Sequence, residues 1–453
     1  MNHFRQSLLA AALALGLCAA GCSRQQSADA TDQRHILAHL PATLASKDAE
    51  LRAELDRLQR QNQLPWQQLA RQVPEEENAA AVLVEQLAGL DAEPLAAEAA
   101  PLLAQPGLQF SLTDQEAARE LLERFDTQRR AARQALQLPD ASFGVEPAEG
   151  LLAQLACIGQ ARLIVRLEGF AAAAALGRLG PVGGEASVNQ AAAAAPAADL
   201  DEATEAVVAM LQWVDTLARE PHTVCRLEAI HLRGEALLAL EAVAQHPEIT
   251  GEHLQRLEDC VKRSLAQWPN DADVCQAERI LGMQMYELVR SGRYDAVSSE
   301  DPQAMPQAEL MRRVRRMKPQ QIDRDELFYL RAMDRISRHC QEDFPARQPL
   351  FAQLRSSAGT PDADDYPAIA MHVLLHDIER LHRFLTFDRA RMEGWAVALA
   401  SARGEAPPAL GKSPRTGEAY RIAERPDRVS VQGHGSLEAD EAERPIVVRK
   451  VLR

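Results

Sequence analysis

Along most of the chain apolar residues recur at every third or fourth position, the spacing that gathers them on one face of an α-helix. Leu200, Ala203, Val207, Met210, Val214 and Leu217 form one such stripe; Leu254, Leu257, Val261, Leu265 and Trp268 form another. The helix starts are marked too. Thr113 with Glu116, Asp199 with Glu202 and Asp323 with Glu326 have capping-box spacing, a short polar side chain followed three residues later by an acid. Pro74 followed by Glu75, Glu76 and Glu77 puts proline and negative charge where a first turn favours both.

Between residues 200 and 292, breakers at Glu220-Pro221, His246-Pro247, Pro269-Asn270-Asp271 and Gly292 divide the pattern into three or four helices. Connections this short make consecutive helices antiparallel. The expected fold is therefore mainly α, with helical hairpins stacked as a degenerate tetratricopeptide-like array. A long helix is expected from Pro367 to Ala402. After it the period changes: segments 418–422, 428–432 and 445–452 are short, rich in Val, Ile or Tyr and bounded by Gly, Pro or Asp, which predicts a small C-terminal antiparallel β unit. The divisions read as 1–21 leader, 22–33 tether, 34–179 N-terminal helical region, 180–198 flexible Ala/Gly/Pro insertion, 199–402 helical-hairpin region and 403–453 β motif.

Composition agrees with a helical body: Ala, Leu, Glu, Gln and Arg dominate, and only 4% of residues are aromatic, so the core is built from small and aliphatic side chains. A net charge of −15 argues against nucleic acid and against a broad electrostatic membrane surface. Five cysteines follow Cys22: Cys157, Cys225, Cys260, Cys275 and Cys340. An odd number leaves at least one thiol unpaired. Cys260 and Cys275 flank a helix-turn-helix, so a bridge between them is open, while small buried apolar roles are favoured for most of the five.

The first residues carry an address. A basic stretch, Met1 to Arg5, precedes an apolar run from Ser7 to Leu17, too short to span a bilayer, and Ala19-Ala20-Gly21-Cys22 follows. These four residues resemble the lipobox of bacterial lipoproteins, with Ala19 where that family more often has Leu. The resemblance implies cleavage before Cys22 and lipid, palmitate included, on that cysteine as a membrane anchor. Cys18 fits the pattern less well. Ser23 stands where inner-membrane retention signals place Asp, which implies the outer membrane with the body in the periplasm. The polar residues 25–31 read as a tether.

Short elements carry a second likeness. Glu77-Asn78-Ala79-Ala80, then Gly404 to Leu410 with Pro407, then Ser413-Pro414-Arg415-Thr416-Gly417-Glu418-Ala419-Tyr420 resemble segments of uncharacterised bacterial envelope proteins with a mostly helical body and a small C-terminal β motif. Ser413 replaces the family's usual Asp, and Ala419 its frequent Pro. The likeness implies architecture, not mechanism.

Candidate chemistry is sparse. His372, His376 and Glu379 would share one face of a continuous helix, a geometry that can hold a metal. Leu374, Ile378, Leu381 and Leu385 mark the opposite face as the core stripe, so a solvated polar face is favoured for the histidines, and His382 is poorly placed as a third ligand. His222 and Cys225, with Glu228 or His231 nearby, read as packing at a helix start. Asp362-Ala363-Asp364-Asp365 lacks the glycine and distal Glu of a calcium loop and reads as a cap for the next helix. The basic run Arg312-Arg313-Val314-Arg315-Arg316-Met317-Lys318 could meet anionic lipid or an acidic partner, but pairing with neighbouring acids is favoured. No phosphate loop, nucleophile elbow or dinucleotide fingerprint is present, and no cofactor is expected. The reading is a non-enzymatic, lipid-anchored scaffold that binds an envelope protein, with no nucleic acid as partner. A metal-dependent hydrolase using His372, His376 and Glu379 is the alternative.

Overall fold

The structure, a computed structural model, describes residues 48–61, 73–103, 108, 110–145, 155–179, 199–293, 306–361, 363–437 and 442–451. The leader, Cys22, the tether and the 180–198 insertion lie outside the described residues.

The described residues form thirteen α-helices and one small sheet. The helices are α1 (Ala49–Arg60), α2 (Ala79–Gln86), α3 (Ala92–Leu103), α4 (Leu112–Ala135), α5 (Ala156–Ala175), α6 (Leu200–Ala218), α7 (Thr223–Ala244), α8 (Gly251–Ala266), α9 (Asp271–Arg290), α10 (Gln307–Arg316), α11 (Pro319–Arg338), α12 (Phe344–Ser357) and α13 (Ile378–Ala402). The four helices α6 to α9 fall between the breakers that the sequence marks. Both apolar stripes point inward: Leu200 to Leu217 on α6 is buried throughout, as are Leu254, Leu257 and Val261 on α8.

Caps set the boundaries. Asp199 accepts from the Glu202 backbone N–H, as its spacing predicts. Ser111, two residues ahead of Thr113, caps α4 by accepting from Asp114. The third predicted start is corrected. α11 begins at Pro319, and Asp323 and Glu326 lie inside it, buried against Arg290 of α9. A pair of acids on one inward face has the same spacing as a capping box, and only the buried arginine tells them apart.

Two hydrophobic cores result. One joins α2 to α8 with the second half of α13 and the sheet; the other joins α1 and α9 to α12 with the first half of α13. α13 therefore threads both, and it packs back on α7 and α8. That return contact departs from a linear tetratricopeptide-like stack, in which each hairpin touches only its neighbours.

The sheet has the order β1 (Arg421–Glu424), β2 (Arg428–Gln432), β3 (Ile446–Arg449), all antiparallel. Val429 and Val431 of β2 and Ile446 and Val448 of β3 are buried, while β1 is exposed along its length. Ahead of it, Ser413 and Gly417 close the predicted tight turn. The Gly417 N–H donates to the Ser413 carbonyl, the Ser413 hydroxyl accepts from Arg415 and Thr416, and Gly417 has a positive φ of 71°. The serine thus performs the side-chain capping that an aspartate would.

Glu77-Asn78-Ala79-Ala80 is likewise structural. The Asn78 side chain accepts from Ala80 and Ser142 and donates to the Ser142 carbonyl, clasping the start of α2 to the loop after α4.

Candidate functional site

A layer of charge separates the two cores. Arg233 of α7, fully buried, pairs with the equally buried Asp388 of α13 and, at 2.9 Å, with Asp215 of α6. Its neighbour one heptad back, Arg226, reaches Asp271 at the start of α9 (3.3 Å), and both guanidinium groups lie over the Trp268 ring. Asp271 in turn faces Arg347 of α12 at 3.8 Å. Apolar cores could slide past each other along this seam; paired charges fix the alignment, because an unpaired buried ion is costly.

Beyond Asp271, α9 and α11 run antiparallel in close register. Tyr286 donates to Asp325 (2.6 Å), and Tyr329 donates to the Glu278 carbonyl (2.6 Å). Gly282 sits where the Tyr329 ring crosses α9, and a Cβ there would overlap ring atoms well inside the 3.0 Å that real Cβ atoms keep. The register brings Cys275, two turns before Gly282, beside Cys340, just past the end of α11. Their sulfurs are 3.2 Å apart although the residues are 65 apart in sequence.

His382 of α13 completes the cluster, with Nε2 3.7 Å from the Cys275 sulfur. All three are buried, and their ligand atoms lie within 4.8 Å of one another. Arg347 organises the group. It donates to His382 Nδ1 at 2.8 Å and to the Cys340 carbonyl. Because Nδ1 accepts, the ring proton belongs on Nε2, aimed at Cys275. Burial, with the Arg347 charge second, keeps the imidazole neutral down to about 3. The hydrogen bond with Cys340, and then burial, push the Cys275 thiol well above the usual thiol range.

Cys340 and Arg347 of the cluster line a cleft of about 400 Å³. Trp268 to Asp271, Cys340 to Asp343, Arg347, three residues of α13 (Thr386, Arg389 and Glu393), and Lys412 with Pro414 line it. The C-terminal unit is thus one wall, docked by the Phe344 N–H on the Pro414 carbonyl (2.8 Å) and by Tyr420 on Glu393 (2.8 Å). A larger groove of about 700 Å³ lies over α4, α5 and α6. Arg129 and Arg133 there hold Glu202 and the buried Glu168.

The residues singled out in sequence fare differently. The expected helix from Pro367 is broken. A π turn at Ala370–Leu374 precedes α13, whose first residue is Ile378, so His372, His376 and Glu379 do not share one helical face. Among the described residues they form no metal-ligand set. His372, expected towards solvent, is buried with its ring against Tyr366 (5.5 Å); His376 pairs with Asp377 (3.0 Å) and Glu379 with Arg355 (2.7 Å). The break moves His382 inward to the thiols. Asp325 accepts from the backbone of Ile369 and Ala370 (3.0 and 2.8 Å), capping the turn that precedes the break.

Asp325 thus takes the capping role expected of Asp364 and Asp365; Asp362 lies outside the described residues. His222 caps α7 by accepting from Val224 (3.2 Å), and Glu228 and His231 pair with Arg162 and Glu235 rather than with Cys225. Cys225 instead shares a side-chain hydrogen bond with Cys157, and this bond and burial push its thiol up. Cys260 stays apart from both pairs, its thiol pushed up to about 12 by burial. In the basic run, Arg313 donates to backbone carbonyls, and among the described residues no carboxylate pairs with Arg312, Arg315, Arg316 or Lys318.

The chain matches no protein-family model, no curated protein sequence and no solved structure.

Proposed function

We propose that the chain is a lipid-anchored helical binding protein of the cell envelope, held by Cys22 and facing the periplasm. In this reading its cleft receives a polar segment of another envelope protein. The observation that carries it is the cleft: four separate parts of the chain converge there, and its lining presents both signs of charge, Asp271, Glu342, Asp343 and Glu393 against Arg347, Arg389 and Lys412. Mixed charge around a concave site favours register and partner choice over raw affinity. The lipobox-like residues and the likeness to envelope proteins support the address.

The test is a photo-reactive amino acid at Glu342, on the cleft, in cells that make the full chain. One envelope protein should be captured, and Arg389→Glu should weaken that capture. Positions Glu342, Arg389 and Lys412 that all capture nothing above background would sink the binding role. Cys22→Ser should release the protein from membranes; a variant that still sediments with them would sink the anchor.

A further inference from the structure

We propose that Cys275 and Cys340 are disulfide partners. The sulfurs of Cys275 and Cys340 are 3.2 Å apart, on segments whose register is fixed by Tyr286, Gly282 and Tyr329. A bond of about 2.05 Å asks them to approach by roughly one ångström more.

The same three atoms could be read as a site for a thiophilic metal, with Cys275, Cys340 and His382 as ligands. The tautomer decides against it. A metal would need the lone pair of Nε2, which moves the ring proton to Nδ1, against the N–H that Arg347 already donates there at 2.8 Å. With Nε2 protonated, His382 is a donor to Cys275 and supports a thiolate as it forms.

Closure uses a disulfide oxidant such as oxidised glutathione. Cys340, which lines the cleft, loses its proton and attacks the oxidant, and one thiolate of the oxidant leaves. Cys275 loses its proton and attacks the Cys340 sulfur of the mixed disulfide, and the second thiolate leaves. The pair has given up two protons and two electrons; the oxidant has become two thiols.

The bridge would form in the oxidising compartment that the proposed address supplies, so that part rests on the functional reading. Two arms separate them. In the first, reduced full-length protein is treated with oxidised glutathione, then with a chelator and denaturant, and remaining thiols are alkylated before peptide mass mapping. A linked Cys275–Cys340 peptide is expected. Alkylated Cys275 and Cys340, whether or not metal had protected them before chelation, would overturn the pairing; so would a Cys260–Cys275 link. In the second arm, protein isolated from the envelope without reductant should already carry this link. Links in the first arm with thiols in the second would uphold the pairing and overturn the address.

Discussion

Gly282→Ala tests whether the contact of α9 with α11 sets the geometry of the thiol cluster. In an isolated helix the change would stabilise, since alanine is favoured over glycine by about 1 kcal/mol. Here the new methyl meets the Tyr329 ring, which is held on both sides, by its hydrogen bond to the Glu278 carbonyl and by the Tyr286 ring at 6.0 Å. Overpacking costs about 1–3 kcal/mol, and displacing the phenol from its carbonyl about 1 more. Against the helix gain, the net expectation is a loss of about 2 kcal/mol. With a urea slope of about 4 kcal/mol/M for a chain this long, the midpoint falls by roughly half a molar. The same substitution in a Tyr329→Ala background has space and should cost almost nothing, which makes the pair a double-mutant cycle. Equal effects of Gly282→Ala in both backgrounds, or a rise in midpoint in the wild-type one, would refute the reasoning. Peptide mapping after oxidation supplies a second readout, because helices pushed apart should yield less of the Cys275–Cys340 link.

Other perturbations probe the seam and its surroundings. His382 is held neutral down to about 3, below its unfolded value, so its contribution is present above about pH 6.5 and lost as pH falls towards 3. Between pH 7 and pH 5 the wild type should lose about 2 kcal/mol more than His382→Asn, read from urea midpoints at both values; parallel pH profiles would contradict this. Arg233→Met strips Asp388 of its closest partner and should cost about 3–5 kcal/mol, most of it recovered in Arg233→Met/Asp388→Leu. A double variant no more stable than the single would show that the charges matter beyond pairing. Glu220→Gln weakens the carboxylate that accepts from Ser142, Phe143 and Val145. Amide exchange at Phe143 and Val145 should speed by roughly tenfold, the equivalent of about 1.4 kcal/mol, while α11 amides stay unchanged.

The helices were legible where local rules act alone. The α6 stripe, the Asp199 cap and the breakers between α6 and α9 needed no partner to be recognised. What local pattern misses is charge directed inward. Arg226 and Arg233 draw their partners from other helices, Asp388 being 155 residues from Arg233. One signal was present: α7 repeats Arg and Glu at heptad spacing, Arg226 with Arg233 and Glu228 with Glu235, within a helix otherwise rich in Ala and Leu. The thiol cluster had no such signal. Cys275 and His382 are 107 residues apart, and the helix ahead of His382 is interrupted before Ile378. Uninterrupted helical phase would have pointed it elsewhere, which is why His372 and His376 looked the better placed.

The charged seam also acts as a proofreader of assembly. Grease tolerates approximate neighbours, so each core could collapse early around many near-native arrangements. Ionic groups are stricter customers: a misaligned α13 would strand Asp388 opposite hydrocarbon, and such a state would be driven to reopen. Folding of the two halves is thereby checked at their border, where one long helix must satisfy both before either is finished.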